Sequence, residues 1–135
     1  MNEPPLILLA EDDRILRKAG EVMLARKGYA VVVAVDGEDA LAKILERKPD
    51  LILLDVMMPK LDGYAVLDRL QDDAGTRTIP VIMLSNLGGD ADVDLAITRG
   101  ARGYLVKSSV GPDQLAEKIA ETLAAPSGAA KPSNG

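Results

Sequence analysis

Four places in the chain set residues able to do polar chemistry directly after a short apolar run. "LILLA" is followed by Glu11 and Asp12, "LILL" by Asp55, "VIML" by Ser85 and "YLV" by Lys107. Carboxylates brought within ~4 Å repel by a few kcal/mol per pair at an effective dielectric of ~20, so a cluster of them calls for a cation. An oxygen-only donor set with room for water suits Mg2+ better than a closed Ca2+ cage, and the lack of His and Cys argues against zinc. A lysine and a hydroxyl facing such an ion suit a ligand with several anionic oxygens, a phosphoryl group first among them. A carboxylate that faces both cation and lysine is then placed as a nucleophile, as in aspartyl-phosphate chemistry.

Taken singly, each residue also has an ordinary explanation. Asp12 or Asp13 can cap the helix that follows, Ser85 can be a turn residue, and Lys107 a solvated surface lysine. Asp55 fits a capping role poorly, because "VMMPKLDG" reads as a loop around Pro59 and Gly63 rather than an immediate helix. The functional reading therefore depends on whether the elements carry all of these residues to one place.

Five apolar runs recur: Leu6 to Ala10, Ala30 to Val35, Leu51 to Leu54, Val81 to Leu84 and Tyr104 to Val106. They lack in/out alternation, which is the pattern of parallel strands covered on both faces. Between them, apolar residues fall at helical spacing: Ile15, Ala19, Val22 and Met23; Leu41, Ile44 and Leu45; Val66, Leu67 and Leu70; Val93 and Ile97; Leu115, Ile119 and Leu123. Gly28 and Gly100 stand where helices end, and Pro49 and Pro80 stand just before strands. The unit is α/β, (βα)5, and right-handed crossovers make it a doubly wound five-stranded parallel sheet, order 2-1-3-4-5, flavodoxin-like. In such a sheet every strand's carboxyl end lies on one edge, so Glu11, Asp12, Asp55, Ser85 and Lys107 converge there.

Composition bounds the rest. A length of 135 residues implies one domain, expected over residues 1–124, with "APSGAAKPSNG" at 125–135 a disordered tail or truncated linker. The absence of Cys and His excludes disulfides, thiolate or imidazole metal sites, cysteine nucleophiles and Ser-His triads. Without Phe or Trp the core must be aliphatic. A net charge of −5 argues against nucleic acid as a direct ligand. "MNEPPLILLA" lacks the positive start and apolar length of a secretory signal, and no run approaches the ~20 residues of a membrane span, so a cytoplasmic protein is expected.

The segments "ILLAEDD", "LILLDVMMPKLDG", "IPVIMLS" and "GARGYLVK" resemble the receiver domain of two-component response regulators, chemotaxis-regulator-like, over about residues 5 to 124. The resemblance implies that Asp55 is the phosphoacceptor and also part of the metal site, and that Asp12 and the Met57 backbone carbonyl are direct Mg2+ ligands. Glu11 would act on the metal through water, Ser85 on a phosphoryl oxygen, and Lys107 as the bridge to the phosphoryl group, leaving Asp13 as a cap. It also implies a switch in which the Ser85 hydroxyl moves toward the phosphoryl group and Tyr104 turns inward. The face of the fourth helix, fifth strand and fifth helix would then be changed for an effector protein or for homodimerisation. The implied phosphodonor is a sensor histidine kinase or a phosphotransfer protein. Gly88 and Gly89 in "NLGGDAD" would loosen the loop that moves.

Two other readings compete. A haloacid-dehalogenase-type phosphatase also sets a nucleophilic Asp at a strand end, but it needs a second acid two residues later, where this chain has Met57. A flavodoxin-like cofactor binder would not follow its first strand with the acidic "EDDRILRK". The chain departs from the receiver pattern at one residue: Ser108 stands where relatives carry a cis proline after the lysine. A cis bond without proline costs about 3 kcal/mol, so a trans Lys107–Ser108 bond and a rearranged loop from Ser108 to Pro112 are expected.

In receivers the side chains two residues after the acceptor and two after the switch hydroxyl flank the path of hydrolytic water. Here these are Met57 and Leu87, both apolar and unable to orient that water. Slow self-dephosphorylation is expected, and a phosphoryl lifetime measurement checks it: the Met57→Asn, Leu87→Glu double variant should lose its phosphoryl group faster than the parent.

Overall fold

Each apolar run forms a strand, and each amphipathic stretch packs as a helix against the sheet those strands make. The structure, a computed structural model, describes residues 3–86 and 90–125. The strands are β1 (Leu6–Ala10), β2 (Ala30–Ala34), β3 (Leu51–Asp55), β4 (Val81–Ser85) and β5 (Gly103–Val106). They alternate with α1 (Arg14–Arg26), α2 (Gly37–Glu46), α3 (Gly63–Gln71), α4 (Asp90–Thr98) and α5 (Pro112–Ala124). All strand pairs are parallel and the sheet order is β2-β1-β3-β4-β5, the expected flavodoxin-like order.

Three strands run one residue further than their apolar runs suggest, β5 by starting at Gly103, while β2 stops at Ala34, one short of Val35. Asp55 pairs opposite Leu84 and Ser85 opposite Val106, so the acid and the hydroxyl are last rungs of the ladder rather than loop residues. Along β1 and β3 successive side chains serve opposite faces. Leu8, Ile52 and Leu54 join Ile44, Val66, Leu67, Leu70 and Ala96 in one cluster, while Ile7, Leu9, Leu51 and Leu53 join Leu24 and Ile119 in the other. Both sets are apolar because both faces are covered. The outer strand β2 is only half-buried along most of its length.

Helix punctuation follows local chemistry. Gly28 and Gly100 take φ of 97° and 111°, the left-handed region that ends α1 and α4. Val66, Leu67, Leu70 and Ile119 are buried as their spacing predicts. The predicted face of α1 holds only at Met23, which packs beside the buried Leu24, whereas Ile15 is 79% exposed and Val22 is exposed as well. The helix comes down on the sheet at Gly20, where an added Cβ would stand 2.8 Å from Leu9 Cδ2. A pattern that counts apolar residues passes over a glycine at the point of closest approach. Leu45 and Ile97 are likewise exposed, and Ala40, Ile44 and Ala96 take the buried positions on their helices.

Gly63 also differs from its sequence reading, opening α3 rather than lying in the loop, with Asp62 as N-cap accepting from the Ala65 N–H at 2.9 Å. It packs against the backbone of the site strand, and a Cβ there would strike the Asp55 carbonyl oxygen and come within 2.9 Å of Val56 Cα. Backbone cannot give way as a flexible side chain does, so Gly63→Ala should cost about 1–3 kcal/mol in urea unfolding. Gly111→Ala, where a Cβ meets nothing within 4 Å, should cost clearly less in the same assay.

Candidate functional site

The ladder's hydrogen bonds run one residue past the strand ends, and they fix the backbone of the polar residues. The Glu11 N–H donates to Ala34 O at 3.1 Å, the Val56 N–H to Leu84 O at 2.9 Å, and the Lys107 N–H to Ser85 O at 2.7 Å. Glu11 and Asp55 are each 4% exposed and Ser85 is buried beside them, while Asp12 is exposed. One carboxylate oxygen from each of Glu11, Asp12 and Asp55 lies within 4.8 Å of the others. Lys107 Nζ donates to Glu11 Oε1 at 2.6 Å and to Asp55 Oδ2 at 3.0 Å.

Asp55 also accepts on Oδ1 from the Met57 N–H at 3.3 Å, which turns the start of the loop back toward the acid. The other oxygen of Glu11 accepts from the Asp13 N–H at 3.1 Å. Asp13 is the N-cap of α1, its Oδ1 accepting from Ile15 and Leu16 at 2.9 and 3.0 Å, so the choice between Asp12 and Asp13 as cap falls on Asp13 and leaves Asp12 to the cluster.

Burial pushes the Asp55 carboxyl up to about 6; the hydrogen bond from Lys107 pulls it down, and the nearby Glu11 charge raises it again. Burial alone would lower the Lys107 ammonium, but its hydrogen bonds to Glu11 and Asp55 outweigh that and hold it above the ordinary lysine range. Three carboxylates against one ammonium leave the edge two negative charges in excess. With oxygen donors alone, one of them exposed, the set fits a small hard divalent cation that keeps part of its water, which is the character of Mg2+.

The structure thus brings Glu11, Asp12, Asp55 and Lys107 together and sets Ser85 at the end of the adjoining strand. Tyr104 is half-buried on β5 opposite Met83, packed with Tyr64 against the aliphatic core. The Met57 side chain is 66% exposed. The Lys107–Ser108 bond is trans, and a turn closed by the Ser109 N–H on Val106 O at 2.9 Å follows it. Leu87, Gly88 and Gly89, and the tail from 126 onward, lie outside the described residues. Sequence reasoning missed Arg17, whose Nη1 donates to the carbonyls of Glu11 at 2.9 Å and Asp12 at 3.3 Å. Its only sequence signal is a basic residue one turn into the helix after the acids, which a surface arginine shares.

The doubly wound parallel sheet gathers its acids and a lysine at the carboxyl edge, which is where proteins of this class of fold bind their ligands. Residues 7–120 match the response regulator receiver domain, and the chain belongs to that family. It is 42% identical over 107 residues to the transcriptional regulatory protein AfsQ1 of Streptomyces coelicolor, covering 79% of this chain and 46% of that protein. It is 37% identical over 101 residues to protein PilG of Pseudomonas aeruginosa, covering 75% of each. The solved receiver domain of the Francisella response regulator 1452 superposes with a TM-score of 0.82 at 30% identity, over 88% of this chain and 96% of that one. The chain spans less than half the length of AfsQ1 and of several other curated regulators it matches. It is therefore a two-component receiver domain, a signalling switch by family, and the phosphatase reading finds no support among these relatives. Among the described residues no helix is long and apolar enough to cross a membrane.

The raised Asp55 carboxyl has a stability consequence in metal-free protein. Its folded value of about 6 lies above the 3.8 of an ordinary aspartate, so the native state holds the proton more tightly than the unfolded chain. Stability contributed by that proton is fully present below about 4 and is lost as pH rises through about 6. Asp55→Asn mimics the protonated acid at every pH. With EDTA present, the variant should gain on the parent between pH 4 and 7, reaching about 1 kcal/mol after allowing for water at the site's open rim, as urea unfolding across that range will measure.

Proposed function

We propose that Asp55 accepts a phosphoryl group from the phosphohistidine of a sensor kinase or phosphotransfer protein, and that Glu11, Asp12, Asp55 itself and the Met57 carbonyl hold the Mg2+ this requires. The observation that carries the reading is the Lys107 ammonium spanning Glu11 and Asp55 at 2.6 and 3.0 Å beside the exposed Asp12. A carboxylate oxygen of Asp55 attacks phosphorus, the phosphorus–nitrogen bond of the donor breaks, and its electron pair leaves with the imidazole. Bound Mg2+ supplies charge neutralisation for the phosphoryl oxygens. Lys107 exchanges one carboxylate contact for a phosphoryl oxygen, and the Ser85 hydroxyl, on the neighbouring strand end, donates to another.

The readout is the face of α4, β5 and α5. Ser85 and Tyr104 stand on adjacent strands of the same sheet, so a hydroxyl drawn to the phosphoryl group opens space that the half-buried Tyr104 ring fills. An effector protein, or a second copy of the chain, reads the changed surface. Residues 1–124 act as the switching unit in the cytoplasm, and the net charge of −5 favours a protein reader over direct nucleic-acid binding.

Treatment with acetyl phosphate and Mg2+ should add the mass of one phosphoryl group to the intact chain. Asp55→Asn should abolish the addition and Asp12→Asn should slow it strongly. Persistence of the added mass in Asp55→Asn would assign the acceptor elsewhere.

A further inference from the structure

Arg17 differs from its basic neighbours on α1. Arg14 and Lys18 are exposed, whereas Arg17 is half-buried and its guanidinium folds back over the helix start to the β1–α1 connection. One nitrogen, Nη1, donates to both Glu11 O at 2.9 Å and Asp12 O at 3.3 Å. These two carbonyls lie between the strand ladder and the helix. The Glu11 N–H closes the ladder on Ala34 O, and the first helical bond begins at Asp13, whose carbonyl accepts the Arg17 N–H at 2.8 Å. The Glu11–Asp12 and Asp12–Asp13 peptides thus stand beyond both regular elements, and the guanidinium holds them.

We propose that Arg17 is a positioning residue of the acidic site, acting through the backbone. Fixing these two peptide planes fixes the Cα–Cβ directions of Glu11 and Asp12, and so brings both carboxylates within 4.8 Å of Asp55. A planar, always-charged guanidinium with fixed donors is suited to the task; a lysine can donate to the same carbonyls but holds them through a flexible stem. Asp12 most needs the restraint, because it is exposed and takes no support from the packed core. The inference rests on the Mg2+ reading of the site proposed above.

Charge makes the test discriminating. Removing a cation from beside an acidic cluster should strengthen binding of another cation, so a loss of Mg2+ affinity in Arg17→Ala is opposite in sign to the simple electrostatic effect. Nor can weakened helix be the cause, since alanine is the better helix former. Direct Mg2+ titration by calorimetry, with Mn2+ relaxation as a second probe, should show Arg17→Ala about tenfold weaker than the parent, the usual effect of removing a group that orients ligands. Arg17→Lys should recover part of the loss, and Arg14→Ala, which removes an exposed charge from the same turn, should bind as tightly as the parent or slightly tighter.

Equal Mg2+ affinity in parent and Arg17→Ala overturns the positioning role and leaves the site reading standing. Equal weakening in Arg14→Ala and Arg17→Ala also overturns it, because helix charge and not the carbonyl bridge would then govern binding. Absence of Mg2+ binding in the parent overturns the site reading and this inference with it. Should Arg17→Ala fail to fold, Arg17→Lys and Arg17→Gln decide the matter in the same titration, and parental affinity in both overturns the proposal.

Discussion

Acids brought to one edge of a sheet repel, and the site exists because an ammonium stands among them. Glu11 and Asp55 are both almost fully buried, and Lys107 touches both from just past the end of β5, two strands away from Asp55's own. A buried carboxylate without a partner is strongly destabilising, and two facing each other more so. The lysine relieves part of this and not all of it, as the raised Asp55 carboxyl records. What remains is a pocket of excess negative charge, closed on the core side and open at Asp12. Such a pocket favours a divalent cation and, once that is in place, an anionic ligand beside the lysine.

The rest of the molecule supplies rigidity for that arrangement. Asp55 is the last rung of the central strand β3, with neighbours on both sides, so its Cα is fixed by the ladder and by two apolar layers. The chain then returns to it: the Gly63 N–H donates to Val56 O at 2.8 Å, and the bare α-carbon of Gly63 lets α3 start against the Asp55 backbone. On the other side, Asp13 caps α1 and Arg17 grips the carbonyls before it, so the acidic connection is held from both ends. A functional group aimed within fractions of an ångström needs this kind of support, since a loose acid would relax away from its neighbours.

The sequence was most legible where one rule acts over a short span. Continuous apolar runs marked the strands, and Gly28 and Gly100 marked helix ends. Helix faces were less legible. On α1 the periodicity favoured Ile15 and Val22, which face solvent, because the real contact stripe passes through Gly20, a residue with no hydrophobic signal. Strand ends were misjudged by one residue at Asp55 and Ser85, since a polar side chain stops the apolar pattern while the backbone ladder continues through it.

By itself the sequence determined the order of elements, the parallel sheet, and which residues reach its carboxyl edge. These follow from local patterning and from chain handedness, which act without knowledge of distant contacts. Tertiary structure alone decided that Lys107 pairs with Glu11 across 96 residues as well as with Asp55 across 52, and that Arg17 turns back to the acidic loop. Each of these depends on separations of a few ångströms between atoms on different elements. Such distances are set by how helices and sheet settle on one another, and no residue's type or spacing encodes them.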